Sequence, residues 1–436
     1  MKRVLVSIAF ASMLAVNARA DTESLAVVAQ RPVVVPPFLT MPDALRMFRE
    51  HGFDLLLADA AAAHAEGDVD AASHVQNLGV SASAGYTFST LATQSPWSYA
   101  ASLSDNATIV DLISGKHTLR TRAAKAALEV ARDHRAVAAA TLELNVKQAY
   151  LQIGLARLQV QFTEEQSKSL AKTLGVTRAQ YPAVIDEGAL ARVEVQKLEA
   201  DQAATSAKQA LRAAQIALAT LLGARGEIPD FDVDRGVLAY RVSPMLQAAT
   251  ETSLLALARL HRPEVIEARA QTHASDESLA FEKRRVFPDV TLGAFVSGTG
   301  AGAPYISPTV AGGSIGFSVP LFYQQQGEVR RASADLATYS LQEQKIDSQL
   351  ALDVTSAFAS MRIARSQVDR MLGGEIAAAT RQRDVVQLKF PGQVNLNDFL
   401  DAERTYIAVQ LEYLQFVASY WSAVFALERA TGTELR

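Results

Sequence analysis

Cysteine is absent from this chain of 436 residues, which excludes disulfide bonds, thiolate metal sites, a cysteine nucleophile and a lipid anchor carried on cysteine. Proline and glycine are scarce, at 14 and 23 residues, so long uninterrupted elements are possible. Beyond an apolar run at residues 4–16, no segment reaches the roughly 20 apolar residues that a membrane-spanning helix needs. If this chain crosses a membrane, it must therefore do so as a closed β-barrel.

Positive charge is also in short supply, because the formal net charge is -4 at pH 7. Residues 1–20 resemble a secretory signal peptide, with Lys2 and Arg3 at the start, an apolar run, and small residues on either side of Arg19. Removal of these three cations takes the net charge from -4 to -7. The sequence therefore predicts export from the cytoplasm and argues against a nucleic-acid partner recruited by positive charge.

Motifs for catalysis and for metal binding are missing as well. Residues 312–316 match the spelling of a nucleophile elbow, but an alternating strand pattern follows where a helix is required, and the last histidine, His273, precedes it. The seven histidines include no His-x-x-x-His pair and no ligand cluster. We therefore predict that the protein is not an enzyme and carries no cofactor or metal.

Four segments alternate apolar with small or polar residues at a period of two, which is typical of amphipathic strands. The first two begin near Val80 and Trp97, and we predict that they form a strand pair within about 79–112. The last two are separated by a glycine-rich loop and are predicted to lie within about 289–323. Each strand pair has one apolar face and one face of small or polar residues.

Long helical patterns follow each strand pair. The first, at about 116–181, carries a coiled-coil seam and would extend roughly 100 Å at about 1.5 Å per residue. A return helix is predicted at about 189–222. The same order recurs with a long helix at about 327–390 and, after Gly392, a return helix at about 394–431. Two adjacent apolar stripes on this last helix indicate a neighbour on either side.

This repetition predicts an internally duplicated chain. The first repeat covers 21–223 and the second covers 251–436, each opening with a helix, and an equatorial linker at 224–250 joins them. Matching residues support the duplication: Val146, Ala149 and Tyr150 correspond to Val354, Ala357 and Phe358. A repeat unit of this length is too long for a solenoid.

The order of helix, two strands, very long helix, turn and return helix resembles the TolC-like family of outer-membrane efflux channels. The motifs that carry the resemblance are Arg262-Pro263-Glu264, Pro288 before a strand, Val319-Pro320-Leu321-Phe322, and the ending from Asp401-Ala402-Glu403-Arg404-Thr405-Tyr406 to Leu427-Glu428-Arg429-Ala430-Thr431-Gly432. The resemblance covers essentially the whole chain after the signal peptide. It implies an α+β membrane protein: a homotrimer whose four strands per chain form one 12-stranded outer-membrane β-barrel, continued by a long periplasmic α-helical coiled-coil barrel.

The resemblance also implies a site at the periplasmic tip, where Gly188 and Gly392 begin the two turns and an adaptor docks. Asp398 and Asp401 match two aspartates that ring the closed tip in the family, and Glu194 occupies the equivalent place in the first half. Considered without the family, two acids in the first turns of a helix are better explained as an ordinary solvated helix start, where the macrodipole favours negative charge.

The chain departs from the family at three places. Val394 and Lys389 stand where the gating network of the family can place an arginine and a tyrosine, and Gly52-Phe53-Asp54 replaces an Asn-Pro opening in the first half. The aspartate ring is therefore better supported than the latch around it.

The implied function is that of the outer-membrane exit channel of a tripartite efflux or type I secretion system, extending into the periplasm. Transport through it is passive, and its partners are a periplasmic adaptor, an inner-membrane pump and outer-membrane lipid. Two other classes stay open from the residues: a periplasmic adaptor, which would have one hairpin flanked by small β-domains, and a structural coiled-coil protein. No motif in the sequence identifies the transported substrate, the pump or the adaptor.

Overall fold

The structure, a computed structural model, describes residues 33–88, 96–183, 186–299, 309–318, 320–389 and 395–435. The predicted signal peptide at 1–20, Gly392 and Val394 lie outside these ranges. The helices are α1 (Met41–His51), α2 (Phe53–Ser73), α3 (Thr108–Ser114), α4 (Lys116–Gln180), α5 (Glu187–Leu221), α6 (Pro244–Ala248), α7 (Glu251–His261), α8 (Pro263–Arg284), α9 (Gln326–Arg370), α10 (Ile376–Lys389) and α11 (Leu396–Thr431). Within the described ranges, no helix combines the length and the apolarity needed to cross a membrane.

Two sheets accompany these helices. The strands are β1 (Phe38–Leu39), β2 (Gly79–Tyr86), β3 (Trp97–Ser104), β4 (Asp232–Val233), β5 (Asp289–Thr299) and β6 (Thr309–Ser318). The larger sheet is antiparallel in the order β2-β3-β5-β6, and β1 pairs with β4 in a small parallel ladder. The alternating segments of the sequence are therefore strands.

The register of the larger sheet separates its two faces. Because side chains alternate along a strand, residues paired across the ladder share a face. One face is largely apolar: Val80, Tyr86, Trp97, Tyr99, Leu103, Val290, Leu292, Val296, Ile315 and Phe317. The opposite face consists mainly of serine, glycine, alanine and threonine, with Phe295 and Val310 as the large exceptions. Both faces are mostly exposed in the single chain.

The second strand ends earlier than the sequence predicts. The strand pair was expected to extend to about 112, whereas β3 ends at Ser104 and Thr108–Ser114 forms α3. Asn106 and Ala107 adopt left-handed backbone angles with φ of 50° and 64°, which turns the chain out of the sheet. The Asp105 carboxylate accepts a hydrogen bond from the Ala107 N–H at 3.2 Å and stabilises this turn.

The helix that opens the first repeat begins as predicted but is divided. Thr40 caps α1 by accepting a hydrogen bond from the Asp43 N–H at 3.3 Å. The sequence predicts one helix to about residue 77, whereas Gly52 adopts an extended ψ of 121° and separates α1 from α2. A Cβ on Gly52 would lie 2.6 Å from the Phe48 ring, so this break requires glycine.

The two long helices differ in continuity. α4 is a single helix of 65 residues, close to the predicted range of 116–181. The second long helix is interrupted, because a π-helical turn at Met371–Glu375 contains Gly374 with non-helical angles and separates α9 from α10. Consecutive glycines at 373 and 374 have low helix propensity, which explains why the interruption falls there.

The chain divides into two compact units. The hairpin unit comprises the described parts of 1–60, 142–241 and 363–425, and the sheet unit comprises the described parts of 61–141, 242–362 and 426–436. In the hairpin unit, Tyr150 on α4 is fully buried; its hydroxyl donates to the Leu39 carbonyl at 2.8 Å and accepts from the Asp234 N–H at 2.9 Å. Burial raises the pKa of Tyr150 to about 12. This hydroxyl joins α4 to the small parallel ladder.

Candidate functional site

The first turn expected at the tip lies between α4 and α5. Asp186 caps α5, because its carboxylate accepts a hydrogen bond from the Ala189 N–H at 2.7 Å. Gly188 therefore lies within the first helical turn of α5 and not ahead of it. Glu194, one of the candidate gate residues, pairs with Arg178 of α4 at 2.8 Å and links the two arms of the hairpin.

Asp398 and Asp401 lie at the start of α11. Asn395 provides the cap, since its side-chain oxygen accepts a hydrogen bond from the Asp398 N–H at 2.8 Å. Both aspartates are exposed, whereas Phe399 and Leu400 between them are buried. The sequence prediction that the two acids share a face of the helix agrees with this burial pattern, and the macrodipole favours both charges there.

An apolar cluster packs beneath this acidic face. It joins α4, α5 and α11 and consists of Leu170, Val193, Ala200, Phe399 and Leu400. Next to it, the Arg192 guanidinium of α5 donates a hydrogen bond to the Asn397 side chain of α11. The two return helices are thus held together within one chain by apolar packing and by a polar contact that the sequence did not reveal.

A second group of contacts joins α10 to α11. The Arg383 guanidinium of α10 lies 4.0 Å from the centre of the Tyr406 ring of α11 and pairs with Asp384 at 2.6 Å. Glu403 is half-buried on the same face as Tyr406, and burial raises the pKa of its carboxyl while the charge of Arg383 opposes this rise. Lys389 is exposed at the end of α10.

These residues were missed by sequence reasoning, although part of the signal was present. Glu403 and Tyr406 both lie in the C-terminal motif and are three residues apart, which places them on one helix face. Arg383, however, is 23 residues away in sequence from Tyr406, so only the fold brings the two side chains together.

Asp398 and Asp401 thus present two exposed carboxylates at the start of α11. Within the described ranges, no group of three or more histidine, aspartate or glutamate residues is placed to hold a metal ion.

Known proteins resemble this chain in sequence and in fold. The family described as outer membrane efflux protein matches residues 254–433. Over these residues the chain is similar to the outer membrane efflux proteins. The outer membrane efflux protein BepC of Brucella suis biovar 1 (strain 1330) is 23% identical over 290 residues, which are 65% of this chain. The match spans only 61% of that relative's length. The resemblance that the sequence motifs indicate is therefore confirmed.

Solved outer-membrane proteins have the same fold. CusC, whose structures describe folding and transmembrane channel formation, superposes with a TM-score of 0.73 at 17% identity, covering 93% of this chain and 98% of CusC. VceC of Vibrio cholerae gives a TM-score of 0.69 at 18% identity over 91% of this chain and 97% of its own. The open state of the MtrE channel of Neisseria gonorrhoeae superposes with a TM-score of 0.73 at 17% identity. The superposition covers 91% of this chain and 89% of the MtrE chain. The expected helix-rich α+β fold of this family is confirmed.

Proposed function

We propose that this protein is the outer-membrane exit channel of a tripartite efflux or type I secretion system. It is a trimer, it carries no catalytic activity, and cargo passes through it by diffusion after delivery by an inner-membrane pump and a periplasmic adaptor. The family consists of channels and not of enzymes, which supports the absence of catalysis. The outer-membrane location follows from the same relatives.

The observation that carries this proposal is the division of the larger sheet into an apolar and a small or polar face. The strands contain 8 to 11 residues, the length of a tilted strand that spans a membrane. An apolar face suits lipid and a face of small and hydroxyl side chains suits a water-filled interior. Aromatic residues stand near the strand ends, where Tyr86 and Trp97 stack with ring centres 5.0 Å apart.

The exposure of this sheet supports assembly of several chains, and the resemblance to the channel family supports a trimer. Four strands cannot close into a barrel, because the smallest membrane barrels have about eight strands. Three chains with four strands each supply twelve, which removes the free edges of β2 and β6. The proposed β-barrel is therefore a property of the trimer.

Internal duplication has support in two glycine contacts. Gly223, after α5, has φ of +80°, and a Cβ built on it would lie 2.2 Å from the His51 carbonyl oxygen at the end of α1. Gly432, after α11, has φ of +69°, and its Cβ would lie 2.5 Å from the His261 carbonyl oxygen at the end of α7. Each repeat thus ends with a glycine that meets the last residue of its own opening helix.

At the proposed gate, Asp398 and Asp401 of three chains form a ring of carboxylates, with Glu194 nearby, and the turns beginning near Gly188 and Gly392 receive the adaptor. The exposure of both aspartates supports this role, as does their position opposite the buried Phe399. Because Glu194 is paired with Arg178, it contributes less negative charge to the proposed gate than the two aspartates do.

Conductance of the purified protein tests the proposal as a whole. The purified protein should be a trimer. After reconstitution into a planar bilayer, it should conduct ions. A soluble monomer without conductance would exclude the channel and favour the structural coiled-coil class. The periplasmic adaptor class is disfavoured by the two long hairpins and the amphipathic sheet of this chain.

The gate is tested separately with Asp398→Asn/Asp401→Asn. The double variant should lose cation preference and block by multivalent cations, because the proposed ring then carries no charge. Asp384→Asn is the matched control, since it removes a nearby carboxylate that is already paired with Arg383 at 2.6 Å. Unchanged selectivity in the double variant, with conductance intact, means that these acids do not line the pore.

A further inference from the structure

All connections between the larger sheet and the helices lie at one end of the sheet. Gly79 pairs with Ser104, and Asp289 pairs with Ser318, so the starts of β2 and β5 lie beside the ends of β3 and β6. The segments that leave this end include 108–114, 282–287 and 320–331, and we call these three segments the junction surface.

The junction surface exposes large apolar side chains. Phe322 is 98% exposed, Ile113 is 80% exposed and Leu321 is 74% exposed. Phe287 and Tyr323 are about half exposed at 50% and 52%. Exposure of several large apolar side chains at one end of a sheet is characteristic of a surface that contacts another phase or molecule.

Cations are concentrated beside these apolar residues. The sequence Glu-Lys-Arg-Arg at 282–285 ends α8, and Glu-Val-Arg-Arg at 328–331 lies in the first turns of α9. The two segments contain five cations and two carboxylates, a local excess of three positive charges. Lys283, Arg285, Arg330 and Arg331 are all exposed.

Contacts within the sheet unit bring these segments together. The Arg284 guanidinium lies 4.1 Å from the centre of the Phe287 ring and donates a hydrogen bond to the Ser114 carbonyl at the end of α3. The Tyr323 hydroxyl donates to the Glu328 carboxylate. That hydrogen bond, with smaller contributions from the charges of Arg285 and Arg331, lowers the pKa of Glu328. Arg285 of α8 therefore lies within electrostatic reach of Glu328 in the first turn of α9.

We propose that the junction surface binds the head groups of anionic phospholipids in the leaflet that faces the periplasm. The proposal rests on the proposed function, because it requires the sheet to lie in the outer membrane with the helices on the periplasmic side. In that position, Phe322, Leu321 and Ile113 enter the boundary of the acyl chains, and the guanidiniums lie at the level of the phosphates.

Charge complementarity favours this occupant over a second copy of the chain. In a symmetric trimer, each copy presents its own excess of cations at the same level, so contact between junction surfaces brings like charges together. Anionic phosphates relieve that repulsion, and arginine pairs with phosphate through two parallel hydrogen bonds.

Lipid retention by the purified full-length protein tests this surface. The detergent-solubilised protein is incubated with phosphatidylglycerol or with phosphatidylcholine, both in phosphate buffer, and the lipid that stays bound after size-exclusion chromatography is counted per chain. The wild type should retain phosphatidylglycerol in preference. Arg285→Gln/Arg331→Gln should weaken this retention by about fivefold for each cation removed, the worth of one cation near an anionic surface.

Two further variants separate charge from fold. Lys345→Gln removes an exposed cation from the same helix, 14 residues beyond Arg331, and should leave lipid retention unchanged. Phe322→Ser changes a side chain that is 98% exposed and makes no core contact, and should lower retention of phosphatidylglycerol while the fold stays intact.

Four outcomes overturn the proposal. The first is equal retention of the two lipids by the wild type, and the second is equal retention of phosphatidylglycerol by the wild type and the double variant. If conductance is normal, either outcome leaves the proposed channel intact. A change in oligomeric state of the variants without a change in lipid retention assigns the surface to a second copy. Failure of the wild type to enter bilayers of either lipid removes the proposed function, and this surface with it.

Discussion

The closing contacts of the two repeats have the same backbone geometry and different side-chain chemistry. In the hairpin unit, Gly223 lies against the His51 carbonyl, and in the sheet unit Gly432 lies against the His261 carbonyl. The first contact is accompanied by the neutral hydrogen bonds of Tyr150, at 2.8 and 2.9 Å. The second is accompanied by ion pairs. The same closing backbone geometry therefore occurs with different stabilising side chains in the two proposed repeats.

The ionic contact of the second repeat is a cluster of two arginines around one carboxylate. Glu264 accepts hydrogen bonds from Arg262 at 3.2 Å and from Arg429, and Arg262 also pairs with Asp353 at 2.6 Å. The side chains of Glu264 and Arg429 are only 19% and 16% exposed. Burial opposes ionisation of Glu264, but the hydrogen bond and charge of Arg429 outweigh it, and the pKa of Glu264 is lowered.

Removal of Glu264 should have the largest effect. Glu264→Ala leaves two nearly buried guanidiniums without their shared partner, and we expect a loss of about 3–5 kcal/mol in the free energy of unfolding, measured by urea denaturation of the purified protein. Asp54→Ala is the control at the corresponding place in the first repeat, where the acid is exposed, and should cost less than about 0.5 kcal/mol.

The same cluster predicts a pH dependence. Because the pKa of Glu264 is lowered in the folded protein, its stabilising contribution is complete above the ordinary glutamate pKa and is lost as the pH falls through the lowered value. Glu264→Gln should therefore flatten the acid side of the stability profile. If the unfolding free energy of Glu264→Gln depended on acidic pH in the same way as that of the wild type, the cluster would not stabilise the second repeat electrostatically.

The shared backbone geometry predicts the next largest effect. Gly223→Ala and Gly432→Ala place a Cβ 2.2 and 2.5 Å from a carbonyl oxygen in a left-handed conformation, so each should cost about 2–3 kcal/mol in unfolding free energy. Gly226→Ala is the matched control: its φ is +77° but nothing lies within 4 Å of the added Cβ, and it should cost only about 1 kcal/mol. If the three substitutions lowered the unfolding free energy equally, the close contacts of Gly223 and Gly432 would not support duplication.

The neutral contact of the first repeat predicts a smaller effect. Tyr150→Phe converts the residue to the phenylalanine found at the matching position 358 and leaves the Leu39 carbonyl and the Asp234 N–H without their partner. We expect a cost of about 1–2 kcal/mol by thermal unfolding followed by circular dichroism. Tyr339→Phe on α9 is the control, and a cost as small as that of the control would mean that the hydroxyl does not hold the parallel ladder.

Glu403 near the tip should give the smallest effect and the opposite sign. Its pKa is raised by burial, so its contribution to stability is complete below the ordinary glutamate pKa and is lost as the pH rises through the raised value. Glu403→Gln should therefore stabilise the protein at neutral pH by roughly 0.5 kcal/mol and leave its stability at low pH unchanged. Glu412→Gln changes an exposed glutamate on the same helix and is the control. If Glu403→Gln lowered the unfolding free energy at neutral pH, the predicted stabilisation would be wrong.

Periodicity in the sequence was sufficient to predict the strands, the long helices and the return helices, because each has an apolar face that repeats at 2.0 or 3.6 residues. It could not predict the end of β3, which depends on the left-handed angles of Asn106 and Ala107. Periodicity also did not predict the interruption of the second long helix at Gly374, although the consecutive glycines at 373 and 374 have a low helix propensity that a single glycine such as Gly175 in α4 does not match.

For the candidate site, the sequence supplied the acids but not their surroundings. Asp398 and Asp401 could be located from the family motif, and their shared exposure follows from their spacing. The contacts of Arg192 with Asn397 and of Arg383 with Tyr406 join residues far apart in sequence, so they depend on how the hairpins pack. The role of the acids as a gate stays a prediction.

The small and polar face of the larger sheet has a consequence for what can pass it. Among the described strand residues, the charged residue on that face is Asp289, and its charge is neutralised by Lys116 at 2.6 Å. A wall of hydroxyls and glycine backbone offers hydrogen-bond donors and acceptors but no net field. Such a surface is wetted by water and is indifferent to the sign of a solute's charge. In the proposed channel, discrimination between solutes by charge therefore has to arise away from this sheet.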